Sequence, residues 1–212
     1  MLLLPLHDLP TRSASGAIIR YVLPRTKPPQ LVGPLDRKAL FSILGIGDVI
    51  IGVGHGSPTE FCGHNDETVL TTYSIPNVRG KTVVLISCET AQQLGPALIN
   101  AGAISYIGFK DDLVWVVDAD LYFTPWSDKM ALPVMRPIAD CLNILLDGKT
   151  AGEAYSTMLE ELSRNAEIEE DELIKACLEF NRDNAVLLGD GSAKIRARPG
   201  ISFPFPPPPL PP

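Results

Sequence analysis

A histidine and a cysteine each stand at the end of a short apolar run in this sequence. His55 follows the run over residues 48–53 after a single glycine, and Cys88 follows the run over residues 82–87. A deprotonated thiol is a strong nucleophile, and a nearby imidazole can accept its proton and later return a proton to a leaving amine. The pair therefore predicts an acyl-transfer site in which Cys88 is the nucleophile and His55 is the base.

Glycine stands on both sides of His55, at positions 54 and 56. Because glycine has no side chain, it lets a substrate backbone approach closely and tolerates unusual dihedrals. The backbone N–H groups of Gly56 and Cys88 are candidates to stabilise the oxygen that becomes negative during acyl transfer. A helix predicted over residues 90–101 would also point its N-terminus at Cys88 and favour the thiolate.

The apolar runs before His55 and Cys88 are typical of strands buried on both faces, and residues 103–109 form a third run of this kind. Because helical patterns follow these runs, the sequence predicts an α/β fold with a mostly parallel sheet flanked by helices. Functional groups in such sheets gather at the carboxyl ends of the strands. We therefore expect His55 and Cys88 to share one crevice at this edge.

Composition assigns the elements outside these three strands. Those before the first strand are predicted to be an irregular segment over residues 1–15, a strand over 16–23, a proline-rich loop over 24–34 and a helix over 36–44. Those after the third strand are predicted to be helices over 130–147, 151–165 and 170–185 and a closing strand over 186–190. Residues 110–126 match no pattern clearly.

The segment over residues 57–80 is polar and has little periodicity, so we predict a loop beside the cleft. Within it, Glu60, Asn65 and Asp66 are candidates to orient His55. One alternative use of the nearby residues is a zinc site, for which suitable atoms occur in His55, Cys62, His64 and Cys88. Their spacing is not that of a zinc finger and no CxxC pair anchors it, so we predict no metal and no cofactor.

Charge and cysteine usage limit the partners and the compartment. The formal net charge is −7 and basic residues do not cluster, which argues against nucleic acids and anionic membrane surfaces as partners. The sequence shows neither a membrane-spanning run nor the pattern of a signal peptide, so we expect a cytoplasmic protein. The four cysteines are widely spaced and are expected to be free thiols, with Cys141 and Cys177 packed in helices.

The two strand ends resemble those of the caspase-like cysteine peptidases, particularly gingipain-type peptidases and CHAT domains. The matching segments are Val-Ile-Ile-Gly-Val-Gly-His-Gly, which ends at Gly56, and Val-Val-Leu-Ile-Ser-Cys-Glu-Thr-Ala, which contains Cys88. The likeness continues to a closing Leu-Gly-Asp at residues 188–190 and covers about residues 45–195. It implies a caspase-like three-layer sandwich over residues 16–195, with His55 as base, Cys88 as nucleophile and Gly56 at the oxyanion.

The same resemblance bears on the substrate. In that family the specificity pocket draws on the end of the first strand and on the loop after the strand that follows the cysteine. Those places hold Arg25 and Lys27 in the first case, and Asp111 and Asp112 in the second. Basic residues would favour an acidic P1 residue of a peptide or protein substrate, and acidic residues a basic one. We favour Asp111 or Asp112 as substrate-binding residues and hence a basic P1.

Two further expectations concern the whole chain. The resemblance and the pair of His55 and Cys88 imply a cysteine endopeptidase, which acts on other chains or on its own loops near Arg25 and Arg79. The alternative is a catalytically silent interaction module with the same fold. The C-terminal tail over residues 196–212 is rich in proline and is predicted to form neither helix nor sheet. It is either an inert extension or a ligand for a partner that binds proline motifs.

Overall fold

A six-stranded sheet forms the centre of the computed structural model, which describes residues 2–4, 7–22, 32–33 and 47–195. The strands in this part of the chain are β1 (Leu2–Leu3), β2 (Val32–Gly33), β3 (Val49–Val53), β4 (His55–Gly56), β5 (Glu60–Cys62), β6 (Thr68–Thr71), β7 (Thr82–Ile86), β8 (Ser105–Phe109) and β9 (Ala185–Gly189). The three apolar runs form β3, β7 and β8, in which every residue is buried. Those three predicted strands are confirmed.

The strands of the large sheet lie in the order β2-β1-β3-β7-β8-β9. All neighbouring pairs are parallel except β8 and β9, which are antiparallel. The last residues of β3 and β7, Val53 and Ile86, are paired in register. His55 and Cys88 each follow two residues later, so the sheet delivers both to the same edge.

Helices cover both faces of this sheet. Their bounds are α1 (Leu9–Tyr21), α2 (Leu94–Asn100), α3 (Leu132–Leu146), α4 (Ala151–Ile168) and α5 (Glu172–Asn184). Side chains alternate along a strand, and in β3 Ile51 and Val53 accordingly join a core with α1, α3, α4 and α5, while Ile50 joins a second core with α2. The predicted α/β class, a mostly parallel sheet flanked by helices, is confirmed.

The N-terminal region differs from the prediction, because α1 occupies most of the stretch assigned to an irregular segment over residues 1–15 and a strand over 16–23. Asp8 caps this helix by accepting a hydrogen bond from the Thr11 N–H at 2.9 Å, and Pro10 occupies the first turn, where proline is tolerated. A Cβ on Gly16 would lie 2.9 Å from Pro125. Capping and this close packing outweigh the strand-like composition of the segment.

The predicted loop over residues 57–80 is also wrong in part, because β4, β5 and β6 form a small antiparallel sheet. Phe61 fixes this small sheet to the large one. Its side chain is fully buried and packs against Gly52, where an added Cβ would lie 2.7 Å from the ring. Strands of two to four residues are too short to leave a periodic pattern in the sequence.

The C-terminal half follows the sequence closely, since α3, α4, α5 and β9 lie where helices and a closing strand are predicted. Residues 110–126, which match no pattern, contain single 3₁₀ turns at Ala119–Leu121 and Pro125–Ser127. The predicted helix over 36–44 and the tail over 196–212 lie outside the described residues, as does the loop over 24–34 apart from β2. None of the described helices is long and apolar enough to cross a membrane.

Candidate active site

The turn that carries His55 is locked to the strand before Cys88. The backbone N–H of Gly54 donates to the carbonyl oxygen of Ile86 at 3.2 Å. A Cβ on Gly54 would lie 2.0 Å from the carbonyl oxygen of Cys62, and a Cβ on Gly56 would lie 2.2 Å from the carbonyl oxygen of Cys88. Both glycines are therefore required by close approaches of backbone, and the second brings the His55 segment directly against the Cys88 segment.

The chain turns sharply after Cys88. Glu89 has a positive φ of 57°, an unusual backbone for a residue with a side chain. Its N–H donates to the carbonyl oxygen of Asp111 at 3.0 Å, and the N–H of Ala91 donates to the carbonyl oxygen of Phe109 at 3.0 Å. These bonds hold the turn against the end of β8, so the Cys88 segment is supported by the strands on both sides of β7.

A buried hydroxyl network lies beneath this turn. The Ser87 and Thr90 hydroxyl oxygens are 3.0 Å apart, and the Tyr106 hydroxyl donates to Thr90 at 2.8 Å. All three side chains are buried. Burial raises the pKa of Tyr106 above its ordinary value, although its hydrogen bond with Thr90 acts in the opposite direction. The network therefore remains uncharged and gives the turn a rigid base.

His55 and Cys88 line one cavity of about 300 Å³ at the carboxyl ends of β3 and β7. Its other walls are mostly apolar and comprise Pro10, Thr11, Ala14, Val53, Gly54, Ile86, Ser87, Leu113, Val114, Trp115 and Val117. Apolar pockets that carry a few polar groups are the usual form of small-molecule and peptide side-chain sites. The cavity thus presents an imidazole and a thiol to one partly open space.

The extended segment 113–117 forms one wall of this cavity and is tied to three other elements. The Leu113 N–H donates to Cys88 Sγ at 3.5 Å, and the Val114 N–H donates to the side-chain oxygen of Asn181 at 3.0 Å. The indole N–H of Trp115 donates to the Ser13 hydroxyl at 3.2 Å. Asn181 and Ser13 lie on α5 and α1, so helices from the same face of the sheet hold this wall in place.

Asp8 holds His55 and was missed by the sequence analysis. Its Oδ1 caps α1, and its Oδ2 contacts the Nε2 of His55 in a hydrogen bond. Burial raises the pKa of Asp8, but hydrogen bonds from His55 and Thr11 outweigh it and lower the pKa to about 2. The local signal for its capping role is the pattern Asp-Leu-Pro-Thr at residues 8–11, which lies in the segment predicted to be irregular.

A second histidine and a second carboxylate lie beside this pair. His7 Nε2 is 3.5 Å from Asp8 Oδ2 and 3.2 Å from Asp66 Oδ1, and His55 Nε2 is 3.9 Å from Asp66 Oδ1. Asp66 lies in the turn between β5 and β6, where Asn65 and Asp66 have φ values of 54° and 57°. The Glu67 N–H bonds back to the His64 carbonyl oxygen, which closes a type I′ turn.

The three residues predicted to orient His55, which are Glu60, Asn65 and Asp66, differ in their contacts. Asp66 approaches His55 at 3.9 Å, whereas Glu60 accepts a hydrogen bond from Thr68 at 3.4 Å, and among the described residues Asn65 makes no hydrogen bond with His55. Cys62 pairs with His55 across β4 and β5, and its sulfur is 3.9 Å from the Thr68 hydroxyl. The zinc alternative with both thiols has no support here, because Cys62 and Cys88 have separate partners.

The resting thiol of Cys88 differs from the expectation of a favoured thiolate. Burial raises its pKa, the nearby carboxylates of Asp112 and Glu89 raise it further, and the Leu113 N–H only partly opposes them. The predicted helix over 90–101 starts later, at Leu94, so its N-terminus is six residues from Cys88. The hydrogen bond that Cys88 makes is with Leu113 rather than with His55.

The candidate substrate-binding residues occupy the rim. Asp111 and Asp112 are both exposed and do not line the cavity. Asp112 is nevertheless close enough to Cys88 to affect its pKa, whereas Asp111 contributes a backbone carbonyl to the turn at Glu89. Arg25 and Lys27 lie outside the described residues.

The similarity of this chain to known proteins lies in its fold rather than in its sequence. No protein-family model matches this sequence, and no curated protein matches it. Seven solved chains match, and three of them illustrate the similarity in fold. One is a protease, with a TM-score of 0.60 and 17% sequence identity over 92% of this chain and 48% of that chain.

The other two structures are gingipains. The Arg-specific cysteine proteinase gingipain R matches with a TM-score of 0.63 and 14% identity over 92% of this chain and 46% of that chain. The complex of the RgpB pro- and mature domains from Porphyromonas gingivalis matches with a TM-score of 0.56 and 14% identity, over 86% and 43%. The chain thus spans a little under half of each of these structures. The likeness establishes the fold, which is the α/β fold of gingipain-like cysteine proteinases.

Proposed function

We propose that this chain is a cysteine endopeptidase in which Cys88 is the nucleophile and His55 the base. The observation that carries the proposal is the shared cavity, which His55 and Cys88 line at the ends of neighbouring strands while Asp8 contacts Nε2 of His55. A nucleophile, a base and a group that orients the base are the parts that covalent acyl transfer requires. The fold of the protease neighbours is a second, independent support.

The contact with Asp8 assigns the two nitrogens of His55 to different tasks. A neutral imidazole has one N–H donor and one acceptor. With Nε2–H donated to Asp8, the lone pair of Nδ1 is left to accept the proton of the Cys88 thiol. Asp8 also stabilises the imidazolium that results, because it carries a negative charge down to a pH of about 2. Asp8 is thus a positioning residue.

The reaction then follows in two stages. The Cys88 thiolate attacks a peptide carbonyl carbon, and the N–H groups of Gly56 and Cys88 are the proposed donors to the oxygen that becomes negative. Collapse of this intermediate breaks the peptide bond, with the proton passing from His55 to the leaving amine. Water, deprotonated by His55, hydrolyses the thioester and frees Cys88.

Two features bear on the substrate. Asp112 next to Cys88 would favour a cation at P1, and the gingipain R neighbour is described as Arg-specific. The apolar walls around Trp115 suit the aliphatic part of a long side chain. We therefore propose a basic P1 residue, held by Asp112 at the rim. Self-processing near Arg25 or Arg79 would satisfy the same preference.

The test compares two reagents at neutral pH. Iodoacetamide reports only the thiolate fraction, whereas a peptidyl chloromethyl ketone with arginine at P1 also uses the cavity and the oxyanion donors. We expect the peptidyl reagent to modify Cys88 selectively, as identified by peptide mass spectrometry, and the His55→Ala variant to lose this reaction. Cys62→Ala is the matched control, since Cys62 is also half-buried and near His55.

The interaction-module alternative makes the opposite prediction. The raised pKa of Cys88 is the observation in its favour. In that case Cys88 would react no faster with the peptidyl reagent than Cys62 does, and His55→Ala would change nothing. That result would remove the endopeptidase proposal.

A further inference from the structure

The polar cluster beside His55 has the composition of a metal site. His7, Asp8, His55 and Asp66 each place one ligand atom within 4.8 Å of all the others. They come from three separate parts of the chain: the approach to α1, strand β4 and the turn between β5 and β6. We propose that these four side chains bind a zinc ion, and that the bound ion switches off the base function of His55.

The spacing of the four atoms suits a tetrahedral ion. Ligand atoms about 2.0–2.2 Å from zinc in a tetrahedral site lie about 3.3–3.6 Å from one another. His7 Nε2 is 3.5 Å from Asp8 Oδ2 and 3.2 Å from Asp66 Oδ1, and the separation from His55 Nε2 to Asp66 Oδ1 is 3.9 Å. The His55 and Asp8 atoms are closer because they share a hydrogen bond. If the His55 and Asp8 atoms move slightly away from each other, all four atoms reach the spacing of a tetrahedral site.

Charge and ligand type both favour zinc. Two carboxylates and two neutral imidazoles carry a net charge of −2, which a divalent cation balances. Calcium and magnesium prefer oxygen ligands alone, whereas imidazole nitrogen is a preferred ligand of zinc. The side chain of Asp66 is 68% exposed while that of His7 is only 12% exposed. The cluster is therefore open to solvent on one side and enclosed on the other, so an ion can enter.

This site is distinct from one formed by the nucleophile and its base. Cys88 supplies none of the four ligand atoms, and its sulfur is engaged by the Leu113 N–H. His55 would bind the ion through Nε2, the nitrogen that otherwise meets Asp8. Of the four ligand residues only His55 lines the cavity that holds Cys88, so the ion and a substrate need not compete for space.

Inhibition follows from the tautomer of His55, and this consequence rests on the proposed function. Zinc uses the lone pair of Nε2, so the hydrogen of a neutral imidazole must move to Nδ1. Nδ1 is then a donor and can no longer accept the thiol proton. The same ion would also occupy the Asp8 oxygen that stabilises the imidazolium. One zinc ion thus removes both properties that the reaction needs from this pair.

Binding is tested first, without any measurement of activity. The full chain is titrated with Zn²⁺ against a chromophoric chelator, and we expect one ion per chain. His7→Gln and Asp66→Asn should each weaken zinc affinity by more than about tenfold, since even the loss of a residue that only hydrogen-bonds to a ligand costs about 10–100-fold. Glu60→Gln is the matched control, because Glu60 is a carboxylate of the same small sheet whose partner is Thr68. Circular dichroism verifies that each variant is folded.

Two further measurements separate this site from a thiol site. Cys88→Ser should leave zinc affinity unchanged, and the Co²⁺-substituted protein should lack a thiolate-to-cobalt charge-transfer band. Loss of zinc binding in Cys88→Ser but not in His7→Gln would overturn the proposal, and so would the absence of any zinc binding. If His7→Gln proves unfolded, the cobalt spectrum of the unmodified chain still decides between nitrogen–oxygen and sulfur ligands.

Inhibition is tested on the same proteins. Zinc should abolish the reaction of Cys88 with the peptidyl reagent in the unmodified chain, and His7→Gln should shift the inhibiting concentration upward by the same factor as its affinity. If zinc binds as predicted and the reaction is unaffected, the regulatory claim is wrong while the metal site stands. If no reaction occurs even without zinc, the proposed function fails, and the binding result is unaffected.

Discussion

The two sides of the candidate site, one at His55 and the other at Cys88, differ in how well the resting protein suits each residue to its proposed role. On one side, His55 is held at Nε2 by a carboxylate that is charged at every physiological pH. On the other side, Cys88 lies against an apolar cavity, bonds to a backbone N–H and has a raised pKa. The proposed base is therefore positioned in the resting protein, whereas the raised pKa of the proposed nucleophile disfavours its thiolate. If the proposed function is correct, this difference predicts that substrate binding brings the thiol and the imidazole together.

The largest effect on activity is expected from removal of the Cys88 thiol. Cys88→Ala removes the attacking atom, so kcat against a peptide with a basic P1 residue should fall by roughly 10³-fold or more. Steady-state hydrolysis of a fluorogenic peptide measures this loss. Cys62→Ala should retain activity within a fewfold, and an equal loss in both variants would show that neither thiol is the specific nucleophile.

The next largest effect is expected from substitution of Asp8, the carboxylate that contacts His55. Asp8→Asn removes the charge opposite His55 but keeps a good N-cap for α1, so kcat should fall by about 10²–10⁴-fold with little change in KM. Thermal stability should fall less than in Asp8→Ala, because the cap is kept and only the charged contact with His55 is lost. Asp8→Ala should show the same loss of kcat and, in addition, lose about 1 kcal/mol of stability with the cap. A loss confined to stability would make Asp8 a capping residue only.

The contact between the two sides is tested at Gly56. A Cβ there would lie 2.2 Å from the Cys88 carbonyl oxygen, so Gly56→Ala must displace one segment and should cost about 1–3 kcal/mol in the free energy of unfolding. Gly191→Ala is the control, because its nearest neighbour to a new Cβ is 3.6 Å away. Chemical denaturation of both variants measures the difference, and equal stability would mean that the two segments are not in contact.

A smaller effect concerns the charge beside the thiol. Because Asp112 raises the pKa of Cys88, Asp112→Asn should lower it and increase the thiolate fraction at neutral pH. Alkylation by iodoacetamide should accelerate severalfold at pH 7, and the midpoint of its pH profile should move to lower pH. The same variant should lose its preference for basic over neutral P1 residues. A pH profile that does not move would separate Asp112 from the nucleophile.

The smallest effect is expected from the buried hydroxyl network beneath the turn at Cys88. Tyr106→Phe removes the hydroxyl that donates to Thr90 and should cost about 1 kcal/mol in the free energy of unfolding, measured by denaturation. Because the network supports the turn rather than the reacting atoms, kcat should change by less than about tenfold. A larger loss of activity would mean that the hydroxyl network fixes the position of Cys88.

The central strands and the pair His55 and Cys88 are visible in the sequence because buried strands leave continuous apolar runs and their ends mark functional edges. Asp8 is not visible in that way. It approaches His55 across 47 positions of the chain, and one short capping pattern is its only local trace. The small sheet β4–β6 and the wall at 113–117 are likewise set by tertiary contacts, such as those of Phe61 and Trp115.

The most direct test is a crystal structure of the chain after reaction with the arginyl peptidyl reagent. We predict a covalent bond from Cys88 Sγ to the reagent, with His55 Nδ1 within about 3–7 Å of that sulfur and Nε2 on Asp8. The arginine side chain should extend toward Asp112. A reagent bound to another cysteine, or a His55 ring turned away from Cys88 into a separate pocket, would contradict the account.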